Sequence, residues 1–330
     1  MKKSIIVVML IAILLMCCAC GSANKNDAVW PTTKTVEIYT PLAAGGGTDL
    51  YARLLTERLG EITGANFVVI NQTEGGGAIA YNEVKNAPAD GSKLLVCTPS
   101  LYTSYLNGLH DVHPLDDYTT VSIVEFTTPH YIVVPKNSPI NTLEDFVAYA
   151  TENPGEMTFG MQIGSISHYI AQSAVDAMGV SVRFVEAGSD GNRITAVLGE
   201  NVQASMVNGA TVAQYAESGD VKVLCGVYKQ NGGDQIPEAL KEVPSLSDCG
   251  YKDSEIVVNV IFMAPKGISE EMANEMCRLF YEAETTEAVV AKAEEMNMYN
   301  IYREGMEATT KWSEESFNSV CEAHENMDLG

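Results

Sequence analysis

The chain has 330 residues, 46% of them hydrophobic, which is enough apolar material for more than one core. Its 20 basic residues face 43 acidic ones, a formal net charge of −23 at pH 7. That balance argues against nucleic acid and against an anionic membrane surface as partners.

The chain opens Met1-Lys2-Lys3, runs apolar from Ile5 to Met16 and reaches Cys17-Cys18-Ala19-Cys20-Gly21-Ser22. A basic start, a short apolar core and small residues at the break read as a secretory signal too short to span a membrane. The cysteine at the break, followed by a polar stretch, resembles a bacterial lipoprotein signal. Residues 1–19 are then the signal peptide and Cys20 the lipidated residue, because Ala19 suits the small position before cleavage. The expected location is extracytoplasmic, lipid-anchored to the bacterial cell membrane. An ordinary cleaved signal, a plain apolar anchor, or modification at Cys17 or Cys18 are the competing readings. The remaining chain of about 311 residues is of two-domain size, and no later segment holds 18 consecutive apolar residues.

After a linker over 20–34, strands and helices alternate. Residues 36–40 predict the first strand, and 49–59 a helix with Leu50, Leu54, Leu55 and Leu59 on one face. Residues 66–71 form a second strand closed by Glu74-Gly-Gly-Gly-Ala, before a helix over 78–86. Pro88-Ala-Asp-Gly-Ser is turn chemistry, and 93–98 is a third strand. This βαβαβ order predicts a mostly parallel, helix-flanked sheet.

Residues 131–135 lead out of that unit as a strand. Thr142 and Asp145 have the spacing of a capping box, at the start of a helix that Asn153-Pro-Gly ends. The alternation then repeats, with strand 158–161, helix 167–178, strand 182–185 and a helix stopped by Gly199. Strands follow over 202–207 and 221–227, and 255–265 is a second strand suited to crossing between units. Ser269 caps a helix with Met272, Met276, Leu279, Phe280 and Ala283 on a common stripe; Thr286 starts another, and the tail over 312–324 is helical. Two α/β units joined by two crossing strands describe a two-lobed, hinged clam-shell with a cleft between. Past position 20 the cysteines are Cys97, Cys225, Cys249, Cys277 and Cys321, widely spaced with no C-x-x-C. They argue against a disulfide framework or zinc site and read as small buried residues, with one disulfide left open.

Four loops each leave a strand and enter a helix, at the sheet edge where open α/β folds bind ligands. They cover 43–48, 74–79, 162–167 and 187–192, and Ser100 and Asn208 sit at two further strand ends. Each glycine alone is turn punctuation. Together they remove side-chain bulk, so a ligand can approach backbone N–H groups aimed out of helix N-termini, where the dipole favours a negative group. A small carboxylate is the expected ligand. Hydroxyls of Thr48, Ser100, Ser165 and Ser167 and the amides of Gln162 and Asn208 supply placed polar groups. The acidic chain opposes an anion only at long range, since exposed charges are screened beyond about 8–10 Å. Asp49 complements its helix dipole or receives a ligand ammonium.

Catalytic templates are absent. Gly45–Thr48 lacks the trailing Gly-Lys-Ser/Thr of a phosphate loop, and no G-x-S-x-G occurs. His110 and His113 lie in loop sequence beside Pro114, without a helix to align them as metal ligands. His168, beside Ser167, reads as helix N-terminal structure rather than a general base. No metal and no cofactor are expected.

These residues carry a resemblance. Pro41-Leu-Ala-Ala-Gly-Gly-Gly-Thr-Asp49 with Ala52-Arg53-Leu54-Leu55 is followed by Asn71, Gly75-Gly76-Gly77-Ala78 and Ala87-Pro88-Ala89-Asp90-Gly91. Asn153-Pro154-Gly155, Thr158-Phe159-Gly160 and Gly164-Ser165-x-Ser167-His168 come next, then Val243-Pro244-Ser245-Leu246, Gly250-Tyr251 and Ala264-Pro265-Lys266-Gly267. Order and spacing together resemble the extracytoplasmic solute receptors of tripartite tricarboxylate transporters, the Bug-type periplasmic substrate-binding proteins.

The resemblance implies an α/β, two-lobed periplasmic-binding fold of the second type, with lobe 1 over 35–128 and 259–330 and lobe 2 over 129–258. It implies a receptor, not an enzyme, that delivers a small carboxylate or amino-acid solute to multi-span membrane transporter subunits. Backbone amides of the two lobe 1 glycine loops and side chains from lobe 2 would hold the solute. The residues so implicated are Leu42, Ala44, Gly45, Gly46, Thr48, Asp49, Gly76, Ala78 and Ser100, with Gln162, Ser165, Ser167, Ala187, Gly188 and Asn208 opposite.

Three departures bear on the solute. Gln72-Thr-Glu74 stands where the family often has a basic residue, Ala187-Gly188-Ser189 where a Tyr-Arg/Lys-Gly pattern is common, and Asn208 where Asp is frequent. A mono- or dicarboxylate, or an amino acid paired to Asp49 or Asp190, then fits no worse than a tricarboxylate. The glycine loops are expected to carry most of the anion binding themselves. The alternatives are a sensory receptor for a membrane kinase and an α/β hydrolase using a cleft Ser and His168.

Overall fold

The computed structural model describes residues 29–126, 129–228, 236–254, 256–295, 298 and 300–327, built on two β-sheets. Cys17, Cys18, Cys20 and the expected signal peptide lie outside these residues. The first sheet holds β1 (Thr35–Thr40), β2 (Asn66–Asn71), β3 (Lys93–Cys97), β4 (Tyr118–Phe126), β10 (Val258–Pro265) and β11 (Asn300–Ile301), in the order β11-β4-β10-β3-β1-β2. The second holds β5 (His130–Pro135), β6 (Thr158–Met161), β7 (Arg183–Glu186), β8 (Ala204–Asn208) and β9 (Val221–Val227), in the order β7-β6-β8-β5-β9.

The sheets share one plan. β1 runs parallel to β2 and β3, as β6 does to β7 and β8. In each sheet one antiparallel strand is then inserted between parallel ones, β10 between β3 and β4, and β5 between β8 and β9, and β11 adds a short antiparallel strand at the edge of the first sheet. The sheets are therefore mixed rather than mostly parallel. The reason lies in the two passages between lobes. Each inserted strand arrives from the other lobe and enters at the carboxyl edge, with Val258 opposite Phe126 and His130 opposite Asn208. Entering at that edge forces it to run against its neighbours.

Ten helices among the described residues flank these sheets: α1 (Gly47–Thr63), α2 (Ala78–Lys85), α3 (Ser100–Leu106), α4 (Leu143–Glu152), α5 (Ile166–Met178), α6 (Asp190–Leu198), α7 (Gly209–Ser218), α8 (Glu270–Glu284), α9 (Glu287–Glu295) and α10 (Met306–Glu325). α1 buries Tyr51, Ala52, Leu55 and Leu59, whereas Leu50, expected on the inner face, is 43% exposed. The capping box of α4 is present, with the Asp145 N–H donating to Thr142 Oγ1 and the Thr142 N–H to Asp145 Oδ2. Ser269 caps α8 by accepting from the Met272 N–H at 3.1 Å. β4 and α3 were not anticipated. β4 alternates Thr120 and Ser122 with Val121 and Ile123, and its buried hydroxyls look outward in sequence although Ser122 and Thr120 bond to Glu284 and Ser313.

One core lies within lobe 1, under β1 and α1, and takes in Trp30, a residue expected in the linker. Trp30 is 1% exposed, stacks on Phe280 and donates Nε1–H to the Gly91 carbonyl. A second core joins residues of both lobes, from Leu95 and Ile123 to Phe159, Met161 and Tyr169, with Phe317 and Val320 of α10 between them. α10 therefore straps lobe 1 to α5 of lobe 2. Tyr169 and His324 stack and share a 2.8 Å hydrogen bond across this join.

Candidate functional site

Because β1, β2 and β3 are parallel, the loops after them emerge at one edge of the first sheet. The first, with Ala44, Gly45 and Gly46 exposed, is tied down from beneath by Asp49. Asp49 Oδ2 accepts the Gly45 N–H at 2.9 Å and Arg53 Nε–H at 3.0 Å, and Oδ1 accepts from Asn71 Nδ2 and Arg53 Nη2. Burial works to raise the Asp49 carboxyl, but the bonds from Arg53, Gly45 and Asn71 outweigh it and hold it below the usual carboxylate range. Asp49 is 2% exposed and both oxygens are engaged twice. It holds the loop; of the two roles open to it from sequence, a ligand ammonium would have to compete for oxygens that already have two partners each. Leu42 serves the same scaffold through its carbonyl, which accepts from Asn71 Nδ2 at 2.9 Å.

The second loop makes a 3-10 turn over Glu74–Gly77 in which Gly75, Gly76 and Gly77 all have positive φ. Gly77 shows why glycine is needed: a Cβ there would stand 2.6 Å from Pro41 Cβ. Its absence lets the second loop rest against the first. Neither Gly46 at the start of α1 nor Gly77 at the start of α2 provides a side-chain cap. Two uncapped helix N-termini, with Thr48 in the first turn of one and Ala78 opening the other, thus meet at this edge. Ser100 lies at the third strand end, its hydroxyl bonded to Thr98 Oγ1 at 2.9 Å.

At the carboxyl edge of the second sheet more of the loop N–H groups are met by the protein's own side chains, although α6, opening at Ser189, has no side-chain cap. Glu186 accepts from the Ile163 N–H and the Gly188 N–H, at 2.9 and 2.7 Å. Ser165 caps α5 and Asn208 caps α7. Asp190 Oδ1 accepts the Asn208 N–H at 2.9 Å. Ala187 and Gly188 lie half-buried beside this set, and Gln162 is exposed.

Between α5 and the fourth loop lies Arg193, which sequence reasoning missed. It is 1% exposed. Nη1 donates to Ser167 Oγ and to the Gly188 carbonyl, each at 3.2 Å, while Nη2 pairs with Asp190. Burial alone would raise the Asp190 carboxyl; Arg193, Asn208 and His130 together pull it below the usual range. The available signal was one basic residue three positions after Asp190, on the same stripe of α6 as buried Ile194 and Val197. A cation is therefore present behind the fourth loop, although the loop itself has none.

His168 is 1% exposed, with Nδ1 accepting from the Gly164 N–H at 3.2 Å and its ring edge-on to Phe184. Burial pulls its pKa down to about 4, and its ring nitrogen faces a backbone N–H, not a serine hydroxyl. That geometry removes the basis for a Ser–His hydrolase. His110 binds Ser104 Oγ and His113 accepts backbone N–H bonds, as loop residues. Among the described residues no group of three or more His, Cys, Asp or Glu is placed to hold a metal. One polar contact carries the edges toward each other: Asn107, after α3, donates to the Gly164 carbonyl at 3.3 Å and accepts from Tyr169.

The family described as "Tripartite tricarboxylate transporter family receptor" matches residues 51–321. Protein BugT of Bordetella pertussis is 26% identical over 274 residues, 82% of each chain. In three dimensions the chain is similar to a TctC solute binding protein from Polaromonas solved without ligand, with a TM-score of 0.70, 24% identity and coverage of 87% of this chain and 96% of that one. It is also similar to R. palustris Rpa4515 with adipate, with a TM-score of 0.66, 23% identity and coverage of 90% and 98%. These likenesses establish the two-lobed fold of periplasmic binding proteins.

Proposed function

The chain belongs to the tripartite tricarboxylate transporter receptor family, and from that premise we propose that it closes on a small organic carboxylate between its lobes and delivers it to a membrane transporter. The family is one of receptors, so the protein is a solute-binding receptor and not an enzyme. The observation that carries the carboxylate is the contrast between the two edges. Lobe 1 offers two glycine-opened helix N-termini without side-chain caps, at Gly46 and Gly77, whereas in lobe 2 Ser165 and Asn208 cap α5 and α7, Glu186 takes two loop N–H groups, and α6 alone of these three helices lacks a side-chain cap. Lobe 1 then supplies the backbone donors for a solute carboxylate.

Leu50, Ile79 and Ile163 are exposed on or beside these loops, at 43%, 47% and 39%. They suit the carbon body of a solute, and Rpa4515, of the same fold, is a protein with adipate. We take lobe 1 as 35–128 with 259–330 and lobe 2 as 129–258, with Cys20 as a lipid anchor that keeps the receptor beside its transporter. No helix among the described residues is long and apolar enough to cross a membrane.

Calorimetry with dicarboxylates from malate to adipate, tricarboxylates, aromatic acids and amino acids tests the assignment. At least one carboxylate is expected to bind; heat from none of them overturns it. Cys20→Ala is expected to release the protein from membranes, and retention would remove the anchor assigned to Cys20.

A further inference from the structure

Arg193 lies at the head of a directed chain of hydrogen bonds. Ser165 has one hydroxyl proton, and it goes to the Gln162 carbonyl at 2.7 Å. In the 2.9 Å contact between Ser165 Oγ and Ser167 Oγ, the donor is therefore Ser167. Ser167 in turn accepts from Arg193 Nη1. The order runs Arg193 to Ser167 to Ser165 to the carbonyl of Gln162. Its cationic end is buried, Ser167 is 9% exposed, and Ser165 is the half-exposed end on the third loop.

We propose that Arg193 is a positioning residue that brings positive character into the cleft through these two hydroxyls, and that a solute carboxylate oxygen replaces the Gln162 carbonyl as acceptor from Ser165. This rests on the receptor assignment above and names how lobe 2 holds the solute. Each donor in a hydrogen-bonded chain is strengthened by the one behind it, most of all when the first is charged. The guanidinium is held for this task from two sides: Asp190 takes Nη2 and the Gly188 carbonyl shares Nη1, while Nε is buried without a hydrogen-bond partner. It stands in for the cation that Ala187-Gly188-Ser189 lacks, one layer deeper than a loop side chain would be. Asp190 offsets its charge, so lobe 2 contributes a polarised hydroxyl rather than a full positive charge.

The test is a double-variant cycle by calorimetry, using as probes the malate, succinate, glutarate and adipate that bind wild type. Arg193→Met and Ser165→Ala are each expected to weaken binding about 10- to 100-fold. In the Ser165→Ala background, Arg193→Met should cost under about threefold more, because the chain is already cut. Equal losses in both backgrounds would make Arg193 a structural residue only and overturn the relay. Arg193→Lys keeps a charged donor and guards against misfolding of the Met variant; its affinity is expected to lie between wild type and Arg193→Met, and a folded Lys variant no tighter than Arg193→Met would overturn the charge-led chain. Failure of wild type to bind any probe defeats the receptor assignment for this class and the relay with it, an outcome distinct from binding that ignores Arg193.

Discussion

Asn71 Nδ2 lies 2.8 Å from Asp49 Oδ1 and 2.9 Å from the Leu42 carbonyl, so the last residue of β2 fixes both ends of the loop that follows β1. Two adjacent parallel strands thereby share one anchoring point at the proposed binding edge.

Asp49→Ala should loosen this point. It leaves the Gly45 N–H, Asn71 and Arg53 without their common acceptor, although Arg53, half-exposed, can turn to water. A loss of about 2–3 kcal/mol in urea unfolding is expected, together with weaker solute binding. The sign with pH follows from the lowered folded-state pKa. The stabilisation is full above the unfolded carboxyl's value near 4 and is lost as pH falls through the lower folded value. Wild type should lose more stability than the variant below pH 4; parallel acid curves would contradict the anchor.

Gly46→Val and Gly77→Ala separate binding from folding. Gly46 has φ −73 and ψ 163, extended backbone open to any residue, and a Cβ there meets only the Ala43 carbonyl at 3.4 Å. Gly46→Val should fold with a wild-type melting curve and lose the solute, since the branched side chain covers the N-terminus of α1. Gly77 combines φ +94 with a 2.6 Å approach to Pro41 Cβ. Gly77→Ala should lose about 1–3 kcal/mol and displace the first loop with the second. Undiminished affinity in Gly46→Val would remove the first loop from the site.

The two-lobed plan was legible because its signals are local: Asn153-Pro-Gly ends a helix, Thr142 and Asp145 form a box, and glycine-rich turns join strands to helices. The four loops were legible for the same reason, and they do gather at two sheet edges. What was not legible depends on distant partners. Nothing near Asp49 in sequence tells that Asn71 occupies it, and nothing near Arg193 tells that Ser167 lies 3.2 Å away. β4 was missed because Thr120 and Ser122 look like solvent-facing residues until Ser313 and Glu284 are packed against them.

The thiols should respond in a fixed order. Cys97, Cys225 and Cys277 are buried, whereas Cys249 and Cys321 are half-buried, and burial pushes all five thiols above their ordinary range. A short iodoacetamide pulse on folded protein should label Cys249 and Cys321 first. The disulfide left open by the spacing finds its candidate pair here, because the Cys225 and Cys249 thiols lie near enough to influence one another's titration. Oxidation by diamide, followed by non-reducing peptide mapping, should recover a Cys225–Cys249 crosslink. A crosslink involving Cys97 or Cys277 would contradict this placement.

His168 sets a second, higher pH window. Burial lowers its pKa to about 4 in the folded protein, while the unfolded chain takes up the proton near 6.5. The unfolded state therefore binds protons first as pH falls. The contribution to stability is whole above about pH 6.5 and declines toward pH 4, by roughly 2 kcal/mol between pH 7.5 and 5. His168→Gln should flatten that slope in urea unfolding while leaving the separate loss below pH 4 that Asp49 causes. An unchanged slope would assign the effect to other groups. The consequence reaches the site, since His168 Nδ1 is the acceptor for the Gly164 N–H and a protonated ring can accept nothing. Acid should thus free the third loop only as the folded ring itself takes up a proton near pH 4, and affinity should fall there, below the window of the stability slope, in wild type but less in the variant.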